Sequence, residues 1–267
     1  MVHSYGAINT FGSGIVMSAE LNERQKQIVS LLQKNGEVKT AELKELFSVT
    51  DMTLRRDLEK LEQMSLLKRT FGGAILHTKE VTLLERAIVH IEEKAIIGDI
   101  VKGLIQAGES IFIDSGSTTL QIVRALPERA PITVVTNAIH VAAELSAKKI
   151  NTIVIGGVLI ETTNAMAGAI AVESISKMAF DKAFLGTTGV SSLHGFSNSN
   201  MLEAEIKKTA ISRANKRYIV MDHSKFDQNA LFSFANLEEI DAIITDHQPS
   251  KEWVERLTEA EVEIIVP

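Results

Sequence analysis

The chain has 267 residues, 45% of them hydrophobic and 23% charged, with a net charge of −6 at pH 7, as expected of a globular protein with one small and one large domain. It has no cysteine, which excludes disulfides, thiolate catalysis and cysteine-ligated metal sites. No apolar run reaches the length of a membrane span, and residues 1–16 hold no Lys or Arg and no continuous apolar core, so no signal peptide is expected and a cytoplasmic location without a membrane partner is.

Residues 1–20 read as a flexible extension, and Met17 could equally be where the folded protein begins. From Leu21 the pattern sharpens. Asn22 and Gln25 have the spacing of a capping box, Ile28, Leu31 and Leu32 form an apolar stripe, and Gly36 stops the helix. Thr40 is expected to cap a second helix with Leu43, Leu46 and Phe47 on its apolar face. Thr50 is placed to cap a third helix, with Leu54, Leu58 and Leu61 on one face and Thr53, Arg55 and Arg56 on another. That spacing buries one face and offers the arginines to a partner. Three short helices in this order predict a helix-turn-helix at about residues 38–57. Two apolar-rich runs flank Gly72-Gly73, a hairpin signal that places Lys68 and Arg69 on a wing. The domain is read as residues 21–76, followed by a helical connector over 77–108.

Residues 17–76 hold 10 Lys/Arg and 9 Asp/Glu, a net of +1, while residues 77–267 hold 18 and 25, a net of −7. The basicity of the first domain is therefore local. A non-specific coat for nucleic acid is disfavoured, because such binding scales with the number of cations presented.

Over 109–267 the chain alternates. Short β-branched runs at 111–113, 132–135, 152–155, 183–185, 218–221, 242–244 and 262–266 are separated in many places by helical stretches at 117–126, 139–147, 202–214 and 250–260. This predicts an α/β domain with a doubly wound, mainly parallel sheet, whose ligands bind beyond the carboxyl ends of the strands. Several polar loops fall at such ends. Asp114-Ser115-Gly116-Ser117-Thr118-Thr119 combines small residues, hydroxyls and a helix start, which suits a phosphate or simply a capped turn. Asn137 either faces the crevice or caps the following helix, Gly156-Gly157 allows close approach or a turn, and Lys225 reaches a phosphate or solvent. Glu203 either complements a helix N-terminus or binds sugar hydroxyls. The histidines show no paired spacing typical of metal ligands, so no metal is expected.

Together these motifs resemble the DeoR family of bacterial transcription regulators. The resemblance is carried by Val-Thr-x-x-Thr-Leu-Arg-Arg-Asp-Leu at 49–58, Arg-x-x-Gly-Gly-Ala at 69–74, Asp-Ser-Gly-Ser-Thr-Thr at 114–119, Val-Thr-Asn at 135–137, Gly156-Gly157 and Asp-x-Ser-Lys-Phe at 222–226, and it covers about residues 21–266. It implies a winged helix-turn-helix followed by a sensor domain related to ribose-5-phosphate isomerase and glucosamine-6-phosphate deaminase. It further implies a repressor of a sugar-catabolic operon, released by a phosphorylated sugar or related metabolite. Thr53, Arg55 and Arg56, with Met52 nearby, would read the major groove of operator DNA, and Thr40, Lys68 and Arg69 would hold phosphates. Ser115 to Thr119 would form the phosphate loop, with Asp114, Thr136, Asn137, Gly157, Glu203 and Lys225 lining the same crevice. A homodimer or homotetramer is expected, with no cofactor and no catalytic residue. Thr50 stands where Ser is commoner and keeps the capping hydroxyl; Phe71 stands where His is common and removes a possible phosphate contact.

Two enzyme readings compete. An aldose–ketose isomerase or deaminase needs a placed carboxylate base and an acid partner, for which Asp114 and Glu203 are the candidates. A sugar kinase would use Asp114 to Thr118 as a nucleotide loop, but that loop opens a hairpin, whereas here a helix is expected to follow.

Overall fold

The computed structural model describes residues 21–64, 66–75 and 83–267; the expected extension over 1–20, the alternative start at Met17 and part of the expected connector lie outside them. The chain divides into two units that part between Val89 and His90.

In the first unit, Asn22 and Gln25 close a reciprocal capping box on α1 (Glu23–Asn35), which ends on Gly36 in the left-handed region at φ 77°. A three-residue strand, β1 (Glu37–Lys39), follows, so α2 (Thr40–Phe47) begins on Thr40 with Lys39 in the cap position. Thr40 is thus the first helical residue and not the expected cap. Ser48, at φ 51°, makes the turn, and Thr50 caps α3 (Asp51–Gln63) by accepting the Thr53 N–H. Leu54, Leu58 and Leu61 are buried with Ile28, Leu32 and Leu43 in one core, as their spacing demands. The hairpin of β2 (Lys68–Thr70) and β3 (Gly73–Ile75) is widened by β1 into an antiparallel sheet of order β1-β3-β2. A Cβ on Gly73 would stand 1.9 Å from the Val38 carbonyl oxygen, so only glycine lets β3 lie against β1. Helix α4 (Leu83–Ile88) belongs to this unit, with Ile88 in its core.

The second unit opens with α5 (Ile91–Leu104), so the stretch 77–108 is shared between the two units. Then come β4 (Ser110–Ile113), α6 (Ser117–Ala125), β5 (Thr133–Thr136), α7 (Ile139–Ala147), β6 (Asn151–Val154), the hairpin β7 (Val158–Ile160) and β8 (Ala165–Ala167), and α8 (Ala169–Ser176). They are followed by β9 (Phe180–Gly186), β10 (Gly189–Ser191), β11 (Gly195–Asn198), α9 (Met201–Arg213), β12 (Ala214–Val220), β13 (Phe232–Ala235), β14 (Ala242–Ile244), α10 (Lys251–Glu259) and β15 (Glu263–Ile265). Seven strands form one sheet of order β15-β14-β12-β9-β4-β5-β6, with every neighbouring pair parallel. Its inner strands are apolar on both faces, with Phe112, Ala183, Leu185, Ile219 and Ile243 buried on one and Ile111, Ile113, Phe184, Val220 and Ile244 buried on the other, which is why they read as continuous runs. The chain winds outward from β4 to β6 and then returns on the other side of β4 as β9. Between β4 and β9 the winding reverses, and there the strand ends open a crevice. The antiparallel group β10-β11-β13 was not expected from the sequence.

Candidate functional site

The exposed face of α3 carries Met52, Arg55 and Arg56, with Thr53 half-buried. Thr53 shares a 2.9 Å hydroxyl contact with Thr50, so the cap also orients the first polar side chain of this face. Arg55 donates to Glu59 at 3.0 Å. Arg69, on the wing, donates to Glu59 at 2.9 Å and to Glu62 at 2.8 Å. The hydrogen bond from Arg55, followed by that from Arg69, holds the Glu59 carboxyl below its ordinary value. These carboxylates, which went unnoticed in the sequence, fix the wing to α3. Arg56 makes no ion pair among the described residues, and Lys68 is exposed. Thr40 is half-buried, its N–H given to the Gly72 carbonyl at 2.8 Å.

In the second unit the sequence-selected loops meet at the carboxyl edge of the sheet. Asp114, just past β4, is 1% exposed. Its Oδ2 accepts the Gly186 N–H from the end of β9 at 3.1 Å and the Lys207 ammonium from α9. Lys207 also donates to the Gly186 carbonyl at 2.9 Å and lies 5.6 Å from the centre of the Phe234 ring. Burial pushes the Asp114 carboxyl up, Lys207 opposes that shift, and Glu203 adds to it. Three elements are thus locked together where the winding reverses.

The loop from Ser115 to Thr119 is buried. Gly116 occupies the cap position of α6, and no side chain caps that helix, so its first N–H groups carry their partial positive charge toward the strand ends. Thr119 is turned inward, donating to the Asp114 carbonyl at 2.7 Å. Next door, Thr136 accepts the Ala138 N–H at 3.1 Å, and Asn137 donates to the Met166 carbonyl at 2.8 Å instead of capping α7. Glu203 is 4% exposed and accepts from Asn198 at 2.8 Å, and Asn198 in turn accepts from Thr188 at 3.2 Å. Among the described residues five buried side-chain oxygens find no protein partner; Thr163 Oγ1 lies on the β7–β8 hairpin, and the other four, Ser115 Oγ, Asn137 Oδ1, Glu203 Oε1 and Asp222 Oδ2, belong to the strand-end loops and the first turn of α9.

Gly157 answers to packing. At φ 156°, a Cβ there would stand 2.5 Å from the Ala167 carbonyl oxygen, so glycine is needed for β7 to approach β8. Lys225, half-buried, lies in the short 3-10 turn after β12. Desolvation pushes the Asp222 carboxyl up, but Lys225, Lys94, a Ser224 hydrogen bond and His90 outweigh it and hold the carboxyl below its ordinary value. Lys94, buried on α5, is a cation that sequence reading passed over. Lys207 is visible in the sequence only as one of the charged residues that open this helix, with Glu203, Glu205 and Lys208, and its place beside Asp114 was not expected.

Among the described residues no helix is long and apolar enough to cross a membrane. Residues 24–80 match the DeoR-like helix-turn-helix domain and residues 89–247 the DeoR C terminal sensor domain. The HTH-type transcriptional regulator YulB of Bacillus subtilis (strain 168) is 33% identical over 91% of this chain and 95% of its own. The glycerol-3-phosphate regulon repressor of Escherichia coli (strain K12) is 31% identical over 91% of this chain and 97% of its own. Ribose 5-phosphate isomerase A from Methanocaldococcus jannaschii is similar over 51% of this chain and 55% of that one, at 15% identity and a TM-score of 0.39. With a helix-turn-helix, a parallel-sheet second unit and relatives matched almost end to end, the chain belongs to the DeoR family of DNA-binding transcriptional regulators.

Proposed function

We propose that this regulator represses a carbohydrate-catabolic operon in the cytoplasm and releases it when a phosphorylated sugar or polyol enters the crevice at the edge of the parallel sheet. The observation that carries the reading is the uncapped N-terminus of α6 at a sheet edge where Ser115, Asn137, Glu203 and Asp222 each keep a buried oxygen without a protein partner. Buried polar atoms are paired in nearly all folded proteins, so this set calls for a polar occupant. Gly116, Ser117 and Thr118, together with the Ser115 hydroxyl, offer donors to a phosphate. Asn137 and Glu203 offer acceptors to hydroxyl groups, and Lys225 supplies positive charge. Thr119, Thr136 and Asp114 position the loops. Asp114 in particular is engaged by Lys207 and Gly186 and is not free to serve as a base, which favours sensing over isomerisation. At the other end of the chain, Thr53, Arg55 and Arg56, with Met52, enter the major groove, while Thr40, Lys68 and Arg69 hold phosphates. A homodimer or homotetramer would read repeated half-sites.

Ser117→Asp tests the anion site, since a carboxylate at the helix N-terminus takes the place of the phosphate electrostatically. In a thermal-shift panel of hexose and polyol phosphates, the parent protein should be stabilised by one of them, and by about 2.7 kcal/mol at 100 times the dissociation constant. The unphosphorylated sugar should have no effect. Ser117→Asp should fold and show no shift; an undiminished shift would remove α6 from the site.

A further inference from the structure

The strongest unassigned cluster in the second unit lies where β12 and β14 end side by side in parallel register, Val220 opposite Ile244. The Asp246 side chain is completely buried there. Its Oδ2 is approached by His223 Nδ1 at 2.7 Å and by His247 Nδ1 at 2.6 Å. Its Oδ1 accepts the His223 backbone N–H at 2.7 Å and the Thr245 hydroxyl at 3.3 Å. The two imidazoles are 45% and 67% exposed. Their centres are 5.1 Å apart and their planes cross at 78°, and His90 packs edge-on against His223 at 5.3 Å. One ligand atom from each of the three residues falls within 4.8 Å of the others. Sequence spacing could not show this, because the two histidines leave different strands.

We propose that His223, Asp246 and His247 bind one divalent transition-metal cation of the zinc class, tying the exit of β12 to that of β14. Two imidazoles and a carboxylate converging on one point are a zinc donor set with a position left for water or another ligand. Calcium and magnesium prefer all-oxygen surroundings and are disfavoured. Bonds of about 2.0–2.2 Å place ligand atoms roughly 3–3.5 Å apart, so each ring need swing outward by no more than about 1 Å. The exposed rings can do this, while the backbone N–H of His223 holds the carboxylate in place, as partners behind a metal ligand do. A cation there would neutralise the buried Asp246 and stiffen the loop that carries Asp222 and Lys225. The site does not depend on the identity of the sugar effector or of the operator.

The test uses the full chain, free of any affinity tag, stripped with chelator and dialysed against zinc chloride at neutral pH. Metal analysis should find one zinc per chain, and calorimetric titration should give saturable binding. His247→Ala and His223→Ala should each weaken it by more than about tenfold, and both should keep the parent's circular dichroism spectrum, with zinc raising the melting temperature of the parent and not of either variant. His194→Ala should bind as the parent does. Cobalt(II) should give a visible absorption band that His247→Ala loses. Absence of stoichiometric zinc, or equal zinc binding by the parent and both histidine variants, would overturn the site.

Discussion

Lys207 and Asp114 form the contact on which the crevice rests. Both are almost wholly buried, and they tie α9, β4 and β9 together. Removing one member of a buried pair strands the other charge, at a cost of about 3–5 kcal/mol. Lys207→Met should therefore lower the urea-unfolding free energy by that order, and adding Asp114→Asn should recover part of the loss. A double variant as unstable as the sum of the two singles would show that the ion pair does not carry the coupling. Asp114 was legible in the sequence as a strand-end polar residue. Its partner was not, because Lys207 is followed by the exposed Lys208, and a pair of lysines on a helix reads as a solvated face. Glu59 and Glu62 were missed for a related reason. Carboxylates on an exposed helix show their partner only once the wing folds back to bring Arg69 beside them.

Elements were more legible than contacts. All seven strands of the parallel sheet were expected within a few residues: burial on both faces leaves an apolar run in the inner strands, and the edge strands β6 and β15, which are not buried, still carry β-branched residues. The helix-turn-helix was equally plain, because Thr50 and the leucines of α3 each obey a local rule. What escaped was short or irregular: β1, the hairpin β7–β8 and the β10-β11-β13 group, with strands of three or four residues. Strands such as Gly195–Asn198 are buried at every position yet hold polar residues and glycine, so neither alternation nor an apolar run marks them. The Thr50 cap allows a test at this scale. Thr50→Ala should cost about 0.5–2 kcal/mol of stability in the first unit and should also weaken operator binding, since it frees the Thr53 hydroxyl. Operator affinity and stability equal to the parent's would separate the cap from the reading face.

Across the whole molecule, acid stability follows from carboxylates that fasten neighbouring strands. Asp181, at the start of β9, accepts the Ser110 N–H and hydroxyl from β4 at 2.8 and 2.9 Å, and these bonds hold its carboxyl below the ordinary value. Asp241, which accepts from Arg217 at 2.7 Å, is also held below its ordinary value, the hydrogen bonds outweighing desolvation. A depressed folded value means that the stabilisation is complete above the unfolded carboxyl value of about 3.9 and is lost as pH falls below it. Asp181→Asn should flatten that acid limb of an unfolding series; an unchanged slope would assign it to other groups.

At the same scale, the charge division, +1 against −7, leaves DNA recognition to a small reading face and ligand control to the larger unit. The most direct test is the anisotropy of a labelled DNA fragment from the region upstream of the regulator's own gene cluster, titrated with the full chain. A phosphorylated sugar that stabilises the protein should weaken this binding by about 5- to 150-fold, the range of ordinary allosteric coupling, and its unphosphorylated form should not. Arg56→Ala should lose the fragment and keep the thermal shift. Operator affinity indifferent to every sugar phosphate in the panel, or fully retained in Arg56→Ala, would contradict a reading helix governed by the crevice at Asp114.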